Sequence, residues 1–267
     1  LTWSRPETTL TVDGTPHRLD SPRSLLGFAP LAWKDRLRLA ATLAFLKALP
    51  SPAVLASSTA AGWMRSVAGA GSATLIWDPL LRGKFGHAAD DVSMAWLWAR
   101  LHDRTPELGY VAGGFHQVYL ALADHLTASG GQIQYGADVV SIDGIDGGVT
   151  VTTSAADGGM TQRFDRVVAT VPTPLLARLA PGLGGAYLAK YPSPASLDAQ
   201  CLILALDRPL TGTYWIGIGE AGQPFLAVVE HTAMLSPDAY RGRHLLYLGA
   251  YRHRDDPLNV LPADELI

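Results

Sequence analysis

The chain has 267 residues, 48% hydrophobic and 17% charged, with a mean hydropathy of +0.14; it is too apolar to be disordered and long enough to bury a core. Twenty-one basic and twenty-four acidic residues leave a net charge of -3 with no Lys/Arg-rich run, which disfavours an electrostatic grip on nucleic acid and points to a small-molecule partner. The longest apolar run, Leu39 to Leu46 between Arg38 and Lys47, is too short to cross a bilayer, and the single Cys201 excludes an internal disulfide or a cysteine-built zinc site and fits a reducing, cytoplasmic compartment.

In chain order, Thr8 to Val12 and Thr15 to Leu19 flank Asp13-Gly14, a strong short hairpin signal. Apolar positions recur at helical spacing from Leu31 to Leu49, and Pro50-Ser-Pro52 ends the run. Further helices are expected at about Thr59 to Val67, Ala73 to Gly83 and Asp90 to Arg104, so the first hundred residues read as mostly helical. After Gly109-Tyr-Val-Ala-Gly-Gly114, the residues Phe115 to Ser129 form an amphipathic helix that closes at Gly130-Gly131. Extended runs follow at Gln132 to Tyr135, Asp138 to Asp143, Gly148 to Thr153 and Phe164 to Val171. Pro172-Thr-Pro174 leads into a brief helix at Leu175 to Leu179, and the stretch from Pro181 to Pro194 reads as a linker. Strands at Gln200 to Leu206, Thr213 to Ile218, Phe225 to Glu230 and His244 to Tyr251 suggest a four-stranded antiparallel meander, and Pro262 reads as the opening of a helix. No internal repeat appears.

Several motifs have plain structural readings. Gly217-Ile-Gly219-Glu-Ala-Gly222 fits the dinucleotide-binding expression, but the strand-like Phe225-Leu-Ala-Val-Val follows where a helix N-terminus should face a pyrophosphate, so a hairpin turn is expected. Gly69-Ala-Gly71-Ser-Ala-Thr74 has no strand before it and a threonine at the third position. There is no Gly-x-Ser-x-Gly, no His-Glu-x-x-His and no ligand spacing among the eight histidines, so no metal site is expected. Lys84 reads as a C-terminal helix cation ahead of Gly86. Trp63, Trp77, Trp96 and Trp98 read as core residues that could also line an apolar pocket, and Cys201 as a small buried residue of a strand.

The run Gly109-Tyr-Val-Ala-Gly-Gly-Phe115, the helix after it, Gly130-Gly-Gln-Ile-Gln-Tyr-Gly-Ala-Asp-Val-Val-Ser-Ile142 and Phe164-Asp-Arg-Val-Val-Ala-Thr-Val-Pro172 together resemble the flavin-containing amine oxidase superfamily, which includes amine oxidases, protoporphyrinogen oxidases and phytoene desaturase-like enzymes. The order of these pieces over some sixty residues carries the resemblance. It implies an α/β (α+β) fold truncated at both ends: a helical substrate-binding part at 1–108, an FAD-binding segment at 109–176 and the antiparallel substrate-binding sheet at 177–267. By the same resemblance Val139 presents its backbone to the adenine, Ala169, Thr170 and Pro172 pass close to the flavin, and Gly113 and Gly114 let the chain approach the cofactor. Gln200 stands where amine oxidases carry a lysine that holds a water against the flavin. The catalytic residues stay unassigned. The implied activity is FAD-dependent removal of hydride from an apolar or amine-type small molecule. Lacking the N-terminal G-x-G-x-x-G segment and the C-terminal flavin segment, the chain is expected to hold FAD weakly and to be inactive by itself. The alternative is a noncatalytic binding module of the same fold.

Overall fold

The computed structural model describes residues 1–154, 158–194, 196–220 and 222–265, and it divides into two units, Leu1–Tyr110 with Leu197–Ile267, and Val111–Ser196. The first unit opens with β1 (Thr2–Ser4), β2 (Thr8–Val12) and β3 (Thr15–Arg18). Asp13 and Gly14 take φ of 52° and 71°, the left-handed pair that a two-residue turn matched to strand twist demands, so the hairpin forms where Asp-Gly predicts it. The helical layer follows: α1 (Pro22–Leu26), α2 (Trp33–Ala48), α3 (Ala60–Val67), α4 (Ala70–Ser72), a π-helical turn at Ala73–Trp77, α5 (Asp78–Phe85) and α6 (Met94–His102), after which β4 (Leu108–Tyr110) pairs with β1. Ser21, Thr59 and Ser93 cap α1, α3 and α6 through their side-chain oxygens, which settles where those helices begin.

One cluster of sixteen buried apolar residues, from Leu25 to Trp98, holds this layer, and Leu10 and Val12 of β2 pack against it. Trp77 and Trp98 lie inside the cluster, Phe45 stacks on Trp63, and Phe85 meets the edge of Trp96, so the four tryptophans are used in packing. Lys84, in the last turn of α5, sits 4.0 Å from the centre of the Tyr251 ring, and Gly86 caps that helix with φ of 56°.

The second unit contains α7 (His116–Ala128), β5 (Asp138–Ile145), β6 (Gly148–Ser154), β7 (Met160–Phe164), α8 (Thr173–Leu179) and α9 (Gly184–Lys190). Its sheet has the order β5-β6-β7, all antiparallel. The strand expected at Gln132 to Tyr135 is absent, and of that expected at Phe164 to Val171 only Phe164 is in a strand, as the last residue of β7; residues 132–135 and 166–170 are irregular, with no ladder partner among the described residues, and Val168 is 87% exposed despite its β propensity. The expected 181–194 linker instead holds a 3-10 turn and α9.

The first unit resumes with β8 (Asp198–Leu206), β9 (Trp215–Ile218), β10 (Ala227–Glu230) and β11 (His244–Arg252), and ends in a 3-10 turn at Ala263–Glu265 where a helix opening was expected. These strands do not form the expected meander. The six-stranded order is β3-β2-β9-β10-β11-β8, with β8 beside β11 and β2 parallel to β9. Between β9 and β10 the Gly217–Gly222 motif is a hairpin connection, with no helix for a phosphate to cap; Ala221 lies outside the described residues.

Candidate functional site

Strand register divides the sheet into two faces. Ile216, Val228 and Leu246, with Leu204 and Leu248, form the apolar core of one. The opposite face carries a cross-strand row of Trp215, Val229, Tyr247 and Ile203, beside a row of Gly217, Ala227, Gly249 and Cys201. Ile203 is 57% exposed and Trp215 41%. Cys201 is also exposed, which corrects its reading as a buried strand residue: alternation along β8 puts it on the open face while Leu202 and Leu204 turn inward. A maleimide should therefore label Cys201 stoichiometrically without denaturant, as followed by intact mass; labelling only in urea would contradict this placement.

At one end of this face, where Ala227 is buried and exposure is confined to Ile203, Trp215 and Cys201 among the residues named, a ring cluster converges from four separate elements. His231 follows β10, and its imidazole meets Tyr110, Tyr240 and Tyr247 edge-on, with centroids 5.2, 5.5 and 5.4 Å away. Its Nε2 shares a 2.7 Å hydrogen bond with the Tyr240 hydroxyl. Burial pushes the His231 pKa down and, together with the neighbouring phenols, pushes Tyr214 and Tyr247 up. Tyr240 is pushed up to about 12, first by burial and then by its hydrogen bond and proximity to Tyr110. These shifts keep His231, Tyr240 and Tyr247 uncharged near neutrality. The cluster can orient a neutral ligand and donate hydrogen bonds, but it offers no charged acid/base pair. Sequence reading missed it because the three tyrosines and the histidine form no local motif; the one available signal is that Tyr247, between Leu246 and Leu248, must face away from the core.

Two polar anchors shape the surrounding loops. Glu230, 1% exposed, accepts hydrogen bonds from the backbone N–H groups of Leu210, Thr211 and Gly212 and from the Thr211 hydroxyl, so a buried carboxylate holds the loop between β8 and β9. Gln200 shares the core-facing side of β8 with Leu202. Its Nε2 donates to the Leu258 carbonyl at 2.8 Å, and its Oε1 accepts from Arg252 Nε at 2.7 Å. Both ends of the amide are thus engaged by the protein. Arg252 also donates to the Pro224 carbonyl and lies 3.6 Å from Asp256.

The other residues singled out by the resemblance fall in the second unit. Gly113 and Gly114, with φ of 81° and 90°, form the turn before α7, and a side chain at Gly114 would meet open space. Val139 lies beside a bulge on β5, the outer strand of its sheet, whose far backbone edge has no strand partner among the described residues. Pro172 stands at the N-terminus of α8, which packs on β5, so the structure brings the Pro172 and Val139 segments together. Ala169 and Thr170 are exposed in the irregular 166–170 run. The structure describes no direct contact of Gly113 or Gly114 with them. Among the described residues no group of three or more His, Cys, Asp or Glu could hold a metal ion, and no helix is long and apolar enough to cross a membrane.

This fold, a helical layer and a mixed sheet in one unit and a three-stranded sheet in the other, is shared with several solved structures. An oxidoreductase from Methanosarcina mazei matches with a TM-score of 0.73 at 20% identity, covering 99% of this chain and 64% of its own. The PF1083 protein from Pyrococcus furiosus matches at 0.70 with 18% identity, covering 98% and 64%, and a reduced UDP-galactopyranose mutase at 0.65 with 17% identity, covering 95% and 58%. The chain thus spans less than two thirds of the length of each. No curated protein sequence matches it. The family model for flavin containing amine oxidoreductases matches residues 3–267, and the chain belongs to that family.

Proposed function

We propose that the chain supplies the substrate-binding part and the middle of the FAD-binding part of an oxidoreductase that takes hydride from a neutral, apolar small molecule. FAD, when bound, supplies the hydride acceptor, and the protein supplies binding, orientation and a dry environment. The observation that carries the cofactor assignment is the state of the second unit. Ala180 is its one buried residue among those described, while Val118, Leu120, Leu122 and Leu126 of α7 and Val139 and Val140 of β5 are all exposed. A unit this apolar with so little core is built to be covered by further structure. The free edge of β5 at Val139 offers backbone donors and acceptors suited to an adenine edge, and the open turn at Gly113 and Gly114 admits close approach. These features fit the adenine end of FAD. In this reading Ala169, Thr170 and Pro172 border the flavin. The Tyr-His cluster suits a neutral substrate better than a cationic amine, since its ring contacts among the described residues include no carboxylate to hold an ammonium.

The test is flavin retention. Expressed with the coding sequence that flanks it, the protein should leave gel filtration yellow with one FAD per chain, whereas the 267-residue chain should gain little thermal stability from added FAD. A colourless extended protein would overturn the cofactor assignment, and stoichiometric flavin on the 267-residue chain would overturn the expected weak binding.

A further inference from the structure

We propose that the outer face of α2 docks on the surface of an anionic lipid bilayer. Successive residues advance about 100° around a helix, so Trp33, Ala44, Leu37, Ala48, Ala41 and Phe45 fall within one arc of roughly 120°. Leu39, Thr42 and Leu46 occupy the opposite side and are buried in the helical layer, so α2 is apolar on two faces and only one is used for folding. On the outer arc Trp33 is 60% exposed, Leu37 46% and Phe45 50%. Phe45 stacks on Trp63, and Arg38 reaches the Val67 carbonyl, so the apolar strip continues onto α3, where Val67 is 38% exposed.

Charge decides the occupant. Lys34 stands within the arc between Ala41 and Phe45, Arg38 just past the Phe45 edge, and Lys47 and Arg36 beyond the Trp33 edge, four cations on one helix of a chain whose net charge is -3. Arg36, Arg38 and Lys47 bond to backbone carbonyls, which fixes their place without cancelling their charge. Asp35, the one acid of α2, lies against Gly71, away from the arc. A second copy of the same face would bring these cations against one another, whereas anionic headgroups complement them and the apolar ridge enters the acyl boundary. Tryptophan at the rim suits that boundary, where an apolar ring keeps an N–H in contact with water.

Sedimentation of the 267-residue chain with vesicles tests this. Vesicles containing phosphatidylglycerol should retain the protein, phosphatidylcholine alone should retain far less, and added salt should release it. The double variant Trp33→Ser, Leu37→Ser should lower retention about tenfold or more through lost apolar burial, with circular dichroism unchanged because both residues are exposed. Lys34→Glu, at an exposed position, should weaken binding to the anionic vesicles alone. No retention on anionic vesicles would overturn the proposal. Retention unchanged in both variants would do so too, since it would place binding on another surface such as α7, as would a lipid-free dimer that the double variant abolishes.

Discussion

Glu230→Ala is expected to destabilise the first unit by about 3–5 kcal/mol. The carboxylate is the acceptor for three backbone N–H groups and one hydroxyl in the loop at 210–212. An unpaired buried donor costs roughly 1–3 kcal/mol, and partial rehydration of the loop offsets some of the sum. Burial by itself would raise the Glu230 pKa, but the hydrogen bonds from Thr211, Gly212 and Leu210 outweigh it and hold the carboxyl below its ordinary value of 4.5. A depressed carboxylate pKa means that the unfolded chain binds the proton first on acidification. The contribution is therefore complete above pH 4.5 and is lost as pH falls through the lower folded value. Urea titrations at neutral and acid pH measure this: the gap between parent and Glu230→Ala should narrow as pH drops, and Glu230→Gln, which keeps one acceptor, should fall between them. A neutral-pH difference within 1 kcal/mol, on the order of an ordinary surface change, would show that the loop finds other partners.

Legibility in the sequence followed the range of the interactions. The Asp13-Gly14 turn and the helices α2, α3, α6 and α7 are set by local chemistry, and each lies within a few residues of where periodicity and caps place it. Strand partners are set by distant chain. Nothing near Gln200 to Leu206 says that β8 pairs with β11 rather than β9, or that β2 joins the same sheet in parallel. Val167-Val168 shows the converse, strand composition without a partner to make it a strand. The candidate site divides in the same way. Gly113, Gly114, Val139 and Pro172 sit in local patterns that a resemblance can flag, while the ring cluster around His231 exists only once β4, β10 and β11 have been brought together, and the loop anchor only once Glu230 of β10 meets the 210–212 loop.

Gln200→Lys is expected to lower stability by about 2–4 kcal/mol and to confer no turnover of simple amines, even in a flavin-loaded protein. The position matters because the resemblance to amine oxidases places a lysine there, and a glutamine left free could hold a water in its stead. The amide is not free. Its oxygen receives Arg252 Nε and its nitrogen donates to the Leu258 carbonyl, joining β8 to β11 and to the segment after it. Lysine has three donors and no acceptor, so the Leu258 carbonyl could still be satisfied, but Arg252 Nε would lose its acceptor, while the Pro224 carbonyl keeps its own bond, and the guanidinium would face a second cation. The Arg252 side chain is 10% exposed, which leaves water little room to compensate, and Asp256 at 3.6 Å is its one counter-charge among the described residues. Uncompensated charge at a mostly buried site gives a cost of this size. Gln200→Glu distinguishes this account from a mere volume effect. A carboxylate would strengthen the bond to Arg252 while orphaning the Leu258 carbonyl, so it should cost less than lysine although its size hardly changes. Thermal unfolding of the two variants, with hydrogen peroxide release from simple amines as the activity readout, separates the possibilities. A stable Gln200→Lys protein that oxidises amines would mean that the position serves the flavin, and that its contacts with Arg252 and Leu258 are incidental to a catalytic role.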